Sequence, residues 1–169
     1  GIFISDSPSN TVGGTTAADR NVLSGNGNNG LLIDGVASTG NLIQGNYVGL
    51  DATGTAAIGN ADDGVDLSDA PGNTVGGTNP GARNVISGQG DVGLLIVGGL
   101  ATANLVQNNY IGTDAAGTAD IGNATDGVAI SDPVELAHVG TVTSFCVVNV
   151  AFYGQAMELP YVSALILLD

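Results

Sequence analysis

GLLIDGVASTGNLIQGNYVGLDATGTAAIGNADD, residues 30–63, contains three short apolar patches, GLLID, NLIQG and NYVGL, each flanked by Gly, Asn, Asp, Ser or Thr. Patches of three to five residues closed in this way read as strands and turns, and no window sustains a 3.6-residue period. The preceding residues, 1–29, carry three equivalent patches in GIFIS, NTVGG and NVLSGN. Moving outward, residues 1–63 match 64–126 at 38 of 63 positions, and GVAISD at 127–132 opens a third copy. The opening Gly1-Ile2-Phe3-Ile4 recurs at Gly30, Gly64, Gly93 and Gly127, so the structural unit is a rung of 29 or 34 residues in alternation. Three strands per rung, stacked about 4.8 Å apart, predict an all-β fold over 1–132: a right-handed parallel β-helix of about four rungs.

Alternation within the patches assigns the interior. Ile2/Ile4, Leu31/Ile33, Val65/Leu67, Leu94/Ile96 and Val128/Ile130 occupy equivalent places and should form one pair of apolar columns. Val12, Ile43, Val75 and Val106 form a second column, and Leu23, Val48, Ile86 and Ile111 a third. One rung could not bury such a core alone. Two files of asparagine flank the strands, Asn10, Asn41, Asn73, Asn104 and Asn21, Asn46, Asn84, Asn109. They are expected to hydrogen-bond to each other and to turn backbones, and to supply left-handed corner conformations. Gly13-Gly14 and Gly76-Gly77 are expected at the same corners, where a positive φ or close backbone approach excludes a Cβ.

Composition narrows the function classes. The chain holds 16 acidic residues, two arginines (Arg20 and Arg83) and no lysine, with a formal net charge of −14. Nucleic acid is not an expected partner, because affinity for a phosphate backbone rests on Lys and Arg, and anionic membrane surfaces are disfavoured likewise. The apolar runs near the C-terminus, such as YVSALILL, are too short to span a bilayer. Cys146 is the single cysteine, so neither an intrachain disulfide nor a CxxC zinc site is available. The chain opens on GIFIS without a basic or apolar leader, and is read as a piece of a longer one.

The run NTVGGT…RNVLSGN…GLLI…NLIQGNYVGLDATGTAAIGN is similar to the right-handed parallel β-helix repeats of large bacterial surface and secreted proteins. That resemblance implies an extracellular or cell-surface setting. It does not imply one reaction, since the fold hosts adhesins, structural passengers and polysaccharide lyases or hydrolases alike. The leading expectation is a non-catalytic scaffold, adhesin or carbohydrate-binding module, with polysaccharide or another surface protein as partner.

The alternative expectation is a polysaccharide-active enzyme. Glycoside hydrolysis needs two carboxylates about 5–5.5 or 6.5–9.5 Å apart. Asp6, Asp69 and Asp132 form a file two rungs apart, roughly 10 Å and slightly too far; the corner Asp62, Asp63 and Asp66, with Asp126 one copy later, is denser and is the candidate catalytic site. A lyase would need Arg20 or Arg83 as base, but both sit at one repeat position beside a turn, where pairing with an acid such as Asp19 is expected. The loops 51–63 and 114–126 gather Asp51, Asp62, Asp63, Asp114 and Asp126 with Thr and carbonyl oxygens. These hard ligands suit Ca²⁺, without matching an EF-hand or the glycine-rich nonapeptide. No other cofactor is expected.

After residue 132 the character changes. Residues 1–132 hold 26 of the 28 glycines, whereas 133–169 bring Glu135, His138, Cys146, Met157 and Glu158. The alternation in TVTSFCVVNV predicts a β-rich tail. Its segments GTVTSFCVVNV and LPYVSALILLD resemble the start of the acyl-CoA-associated OB-fold domain, which implies a remnant of such a protein as a further alternative. No CxxC zinc ribbon precedes the segment, and an OB barrel needs five strands to close. His138 is therefore read as a surface or loop residue and not a ligand, and Cys146 as a buried strand residue and not a nucleophile. Two origins for the tail are carried forward: a cap over the open end of the solenoid, or a fusion of two truncated genes.

Overall fold

The structure, a computed structural model, describes residues 1–131 and the backbone of the strand Val150–Tyr153. Asp132, His138, Cys146 and the OB-like tail fall outside the described side chains. What is described is an all-β parallel solenoid of about four turns, three strands to a rung.

The first sheet stacks Ile2–Ser5, Leu31–Asp34, Val65–Ser68, Leu94–Val97 and Val128–Ser131 in that order, all parallel. Val150–Tyr153 pairs with the last of these, also in parallel. The second sheet stacks Thr11–Gly13, Leu42–Gln44, Thr74–Gly76 and Leu105–Gln107, and the third Val22–Leu23, Tyr47–Val48, Val85–Ile86 and Tyr110–Ile111.

Every predicted core column is present in register: Ile4↔Ile33↔Leu67↔Ile96↔Ile130, Val12↔Ile43↔Val75↔Val106 and Leu23↔Val48↔Ile86↔Ile111. Ile33, Leu67 and Ile96 are fully buried, while Ile4 and Ile130 in the first and last described rungs retain 9% exposure. Burial is therefore contributed by neighbouring rungs, as in stacked repeats generally.

A second apolar cluster lies outside the third sheet, formed by Tyr47, Leu50 and Val85 with Tyr110, Ala115 and Ile121. The tight turns closed by the bridges Leu50↔Ala57 and Thr113↔Asp120 provide its outer wall, and they stack on one another through Ala115 N–H to Gly54 O at 2.9 Å. The third sheet is thus covered on its outer face at Tyr47 and Val85, while Val22 of the first rung stays exposed.

Both expected asparagine files form ladders. Asn21, Asn46 and Asn84 each donate Nδ2 to the Oδ1 of the next member at 2.9–3.1 Å, and that same Oδ1 also accepts the backbone N–H of the same donor asparagine. In the other file Asn41 bonds Asn73 in the same way, while Asn73 and Asn104 turn their Nδ2 groups to turn carbonyls. One expectation is corrected. The ladder asparagines do not adopt the left-handed region; the non-glycine residues with positive φ are Asp6, Ser9, Asp69, Ala103 and Asn108. An asparagine that must bond both above and below has to keep the extended backbone of the strand edge. The left-handed corners fall to residues beside the ladders, Gly13 (φ 85°) and Gly76 (φ 95°) among them.

Odd and even rungs differ in where they spend their extra residues. In rungs one and three the connection from second to third sheet is long and carries a 3₁₀ turn, Ala17–Asp19 or Pro80–Ala82. In rungs two and four that connection shrinks to residues 45–46 and 108–109, and the long segment follows the third sheet instead.

Candidate functional site

The densest group of ionisable side chains sits at the corner leading into the first sheet. The residue two before each rung-opening glycine runs Asn28, Asp62, Asp91, Thr125, and the residue one before runs Asn29, Asp63, Val92, Asp126. Stacking of rungs therefore sets Asp91 beside Asp62 and Asp63, although 28 residues separate Asp63 from Asp91 in sequence. Carboxylate oxygens of these three lie within 4.8 Å of one another.

Asp63 is buried. Its backbone N–H donates to Asn29 Oδ1 at 3.1 Å, and its Oδ1 accepts the Val92 N–H at 3.1 Å, so it ties its own rung to those on either side. Burial, followed by the neighbouring charges of Asp62 and Asp91, pushes its carboxyl up to about 6 against the pull of the Val92 N–H. Asp66 lies in the outward row of the first sheet, where the other rungs place Phe3, Leu32, Leu95 and Ala129. Its Oδ2 accepts Asn29 Nδ2 at 3.2 Å, while Oδ1 is shielded from water and has no hydrogen-bond partner among the described residues. Burial, then the charges of Asp63, Asp62 and Asp34, raises it to about 7. Asp91 is engaged from the following rung, its Oδ1 accepting the Thr125 hydroxyl at 2.6 Å.

The corner thus unites the sequence candidates Asp62, Asp63 and Asp66 and adds Asp91. Burial and like charge raise the Asp63 and Asp66 carboxyls to about 6 and about 7, and the Asp62, Asp63 and Asp91 oxygens are hard donors of the kind that chelate divalent cations. Asp126, the repeat-mate of Asp63, is buried one repeat further on and is not one of the three that converge.

The two loop aspartates are used locally. Asp51 Oδ1 accepts the N–H groups of Thr55 and Ala56, and Oδ2 the Thr53 hydroxyl; these bonds hold its carboxyl down at about 2. Asp114 repeats the arrangement with Thr118 and Ala119, and its pKa is lowered by the same backbone bonds. Their lone pairs anchor turns, as Asx and ST motifs do.

The arginines depart from expectation. The Arg20 guanidinium stacks over the Tyr47 ring, 4.0 Å from its centroid, and Arg83 repeats this over Tyr110 at 4.0 Å. Each reaches into the following rung, and each donates Nε to a carbonyl there, Gly45 O at 3.0 Å and Asn108 O at 3.1 Å. Asp19, the expected partner of Arg20, instead accepts the Thr16 hydroxyl at 2.7 Å. A planar guanidinium gains more on a buried aromatic face than in an exposed ion pair.

Compared with models of known protein families, with curated proteins and with solved structures, the chain matches none of them. Among the described residues no helix is long and apolar enough to cross a membrane.

Proposed function

We propose that the chain is a non-catalytic module of a secreted or cell-surface bacterial protein, acting as a scaffold, adhesin stalk or carbohydrate-binding face. The observation that carries this reading is the continuity of the rungs. Core columns and asparagine ladders run through all four described turns; Asp51 and Asp114 serve that continuity as turn anchors, and Asp63, Asp69 and Asp91 as ties between rungs. A rigid rod with repeating surface features suits display and adhesion. The extracellular setting rests on the sequence resemblance and on the acidic, lysine-free composition. The test is turnover: a panel of acidic and neutral polysaccharides incubated with the protein is expected to stay intact. Cleavage of any of them, abolished in Asp63→Asn, would overturn the reading.

The second reading, a polysaccharide-active enzyme at Asp62, Asp63 and Asp66, draws on one observation: two carboxyls raised toward neutrality beside further carboxylates, as a general acid requires. Against it, oxygens of Asp62 and Asp63 lie within 4.8 Å of each other, which leaves less room than the carboxylate separations that flank a glycosidic bond. Asp63 is also buried and committed to Val92.

A further inference from the structure

We propose that the stacked pairs Arg20–Tyr47 and Arg83–Tyr110 form a docking row for an acidic polysaccharide that carries a carboxylate on every second sugar. This inference rests on the non-catalytic binding reading above and names the ligand and the surface for it.

The two arginines are the only Lys or Arg residues in a chain with 16 acids. They occupy one position of the 63-residue repeat, so two rungs separate them, a spacing of roughly 10 Å along the solenoid axis. Nothing in the rung architecture neutralises them: among the described residues each guanidinium has a single hydrogen bond, through Nε to a carbonyl of the following rung. The Nη edges, which match a carboxylate in two parallel hydrogen bonds, have no acceptor among the described residues. Tyrosine stacking and the Nε bond fix the plane of each guanidinium, so little side-chain entropy is lost when an anion docks.

The spacing selects the ligand. One sugar of an extended glycan advances by nearly one rung, so uronates on alternate sugars meet the guanidinium groups over Tyr47 and Tyr110 while the intervening neutral sugar spans the odd rung between them. The chain is acidic overall, and this sets the character of the contact. Repulsion from distant carboxylates is damped beyond a Debye length of about 8 Å in physiological salt, so recognition depends on the short-range bidentate contacts and not on long-range steering.

Titration calorimetry of the whole chain with hyaluronan, an alternating uronate polymer, and with its neutral methyl ester tests the proposal. Hyaluronan is expected to bind and the ester not to. Arg20→Gln and Arg83→Gln should each weaken binding about tenfold, the ratio that about 1.4 kcal/mol produces. Arg20→Lys with Arg83→Lys, which keeps the charges but not the planar fork, should fall between, and unchanged far-ultraviolet dichroism confirms that each variant is folded. Absence of binding, equal binding of the ester, or binding unaffected by the glutamine variants overturns the proposal and leaves the non-catalytic reading standing. Arginine-dependent binding followed by shortening of the polymer sustains the docking row and overturns the non-catalytic reading instead.

Discussion

Replacing Asp66 by Asn should make the protein more stable at mildly alkaline pH and leave it nearly unchanged in acid. The folded state raises the Asp66 carboxyl from 3.8 to about 7, chiefly by burial. A raised folded-state value means that the native protein binds more protons than the unfolded chain, so stability is fully present below about pH 4 and is lost as pH climbs toward about 7. A shift of about three units corresponds to a ceiling of about 4 kcal/mol at 1.36 kcal/mol per unit. Asp66 is not sealed off completely, and screening of its partly exposed carboxyl reduces the expected effect to about 2 kcal/mol. Asn keeps an oxygen for Asn29 Nδ2 and cannot ionise, so it removes this dependence at the cost of amide hydrogens facing the site where Oδ1 lacked a partner. Urea unfolding of both proteins across about pH 4 to 8.5 measures it: wild-type stability should fall along this range, and Asp66→Asn should fall less, retaining only the share owed to Asp63, raised to about 6. A wild-type stability that stays flat or rises over this interval, or an Asn variant with the wild-type slope, would refute the reasoning. Below this range the sign reverses, because Asp51 is held down at about 2 and its contribution is lost as the medium becomes more acid.

Asn84→Ala should be among the most damaging surface-to-core truncations. The Asn84 side chain accepts from the Asn46 N–H and Nδ2 and donates to Ile43 O and Asn109 Oδ1, all buried, so its removal strands several groups and should cost about 3 kcal/mol or more in urea unfolding, whereas the exposed Asn10→Ala should cost about 1 kcal/mol. Gly76→Ala combines a φ of 95° with a Cβ that would meet Gln107 O at 1.9 Å; a loss of at least about 2 kcal/mol is expected by the same assay, and a neutral outcome would mean that the corner can open without disturbing the ladder.

The columns and the two asparagine ladders were legible in the sequence because a repeat forces equivalent residues to stack, and identical letters at a fixed period show where. What escaped has a common cause. A third ladder, Asn26–Asn60–Gln89–Asn123, links the same corners, with Asn26 Nδ2 to Asn60 Oδ1 at 2.7 Å and Asn60 Nδ2 to Gln89 Oε1 at 2.9 Å. Glutamine in one member and uneven loop lengths hid the match. Asp91 was missed for a related reason: its repeat-mate is Asn28, so comparison of copies conceals it, whereas alignment on each rung-opening glycine places it directly beside Asp62. The stacking of Arg20 on Tyr47 was not legible at all, since the two residues share neither a strand nor a rung and meet only once the even rung closes beneath the odd one.

The alternation of long corners between odd and even rungs has a packing consequence. Adjacent layers of the coil are about 4.8 Å apart, yet a loop carrying its own side chains is about as thick as two packed sheets are distant, roughly 10 Å. Two such loops on neighbouring layers would collide. By extruding residues 14–21 and 77–84 at one corner and 49–63 and 112–126 at another, the chain gives every protrusion two layers of headroom, and each shelters the short corner next to it, as Ala82 O does for the Gly45 N–H at 3.1 Å and Ile58 O for the Gly25 N–H at 2.8 Å. The 63-residue period is then a matter of clearance: two layers form the smallest unit that can tile along the axis when each layer carries a bulky ornament. An inserted segment should be resisted at the two-residue corners 45–46 and 108–109, and equally at 54 and 115, where the two long loops already touch through Ala115 N–H and Gly54 O.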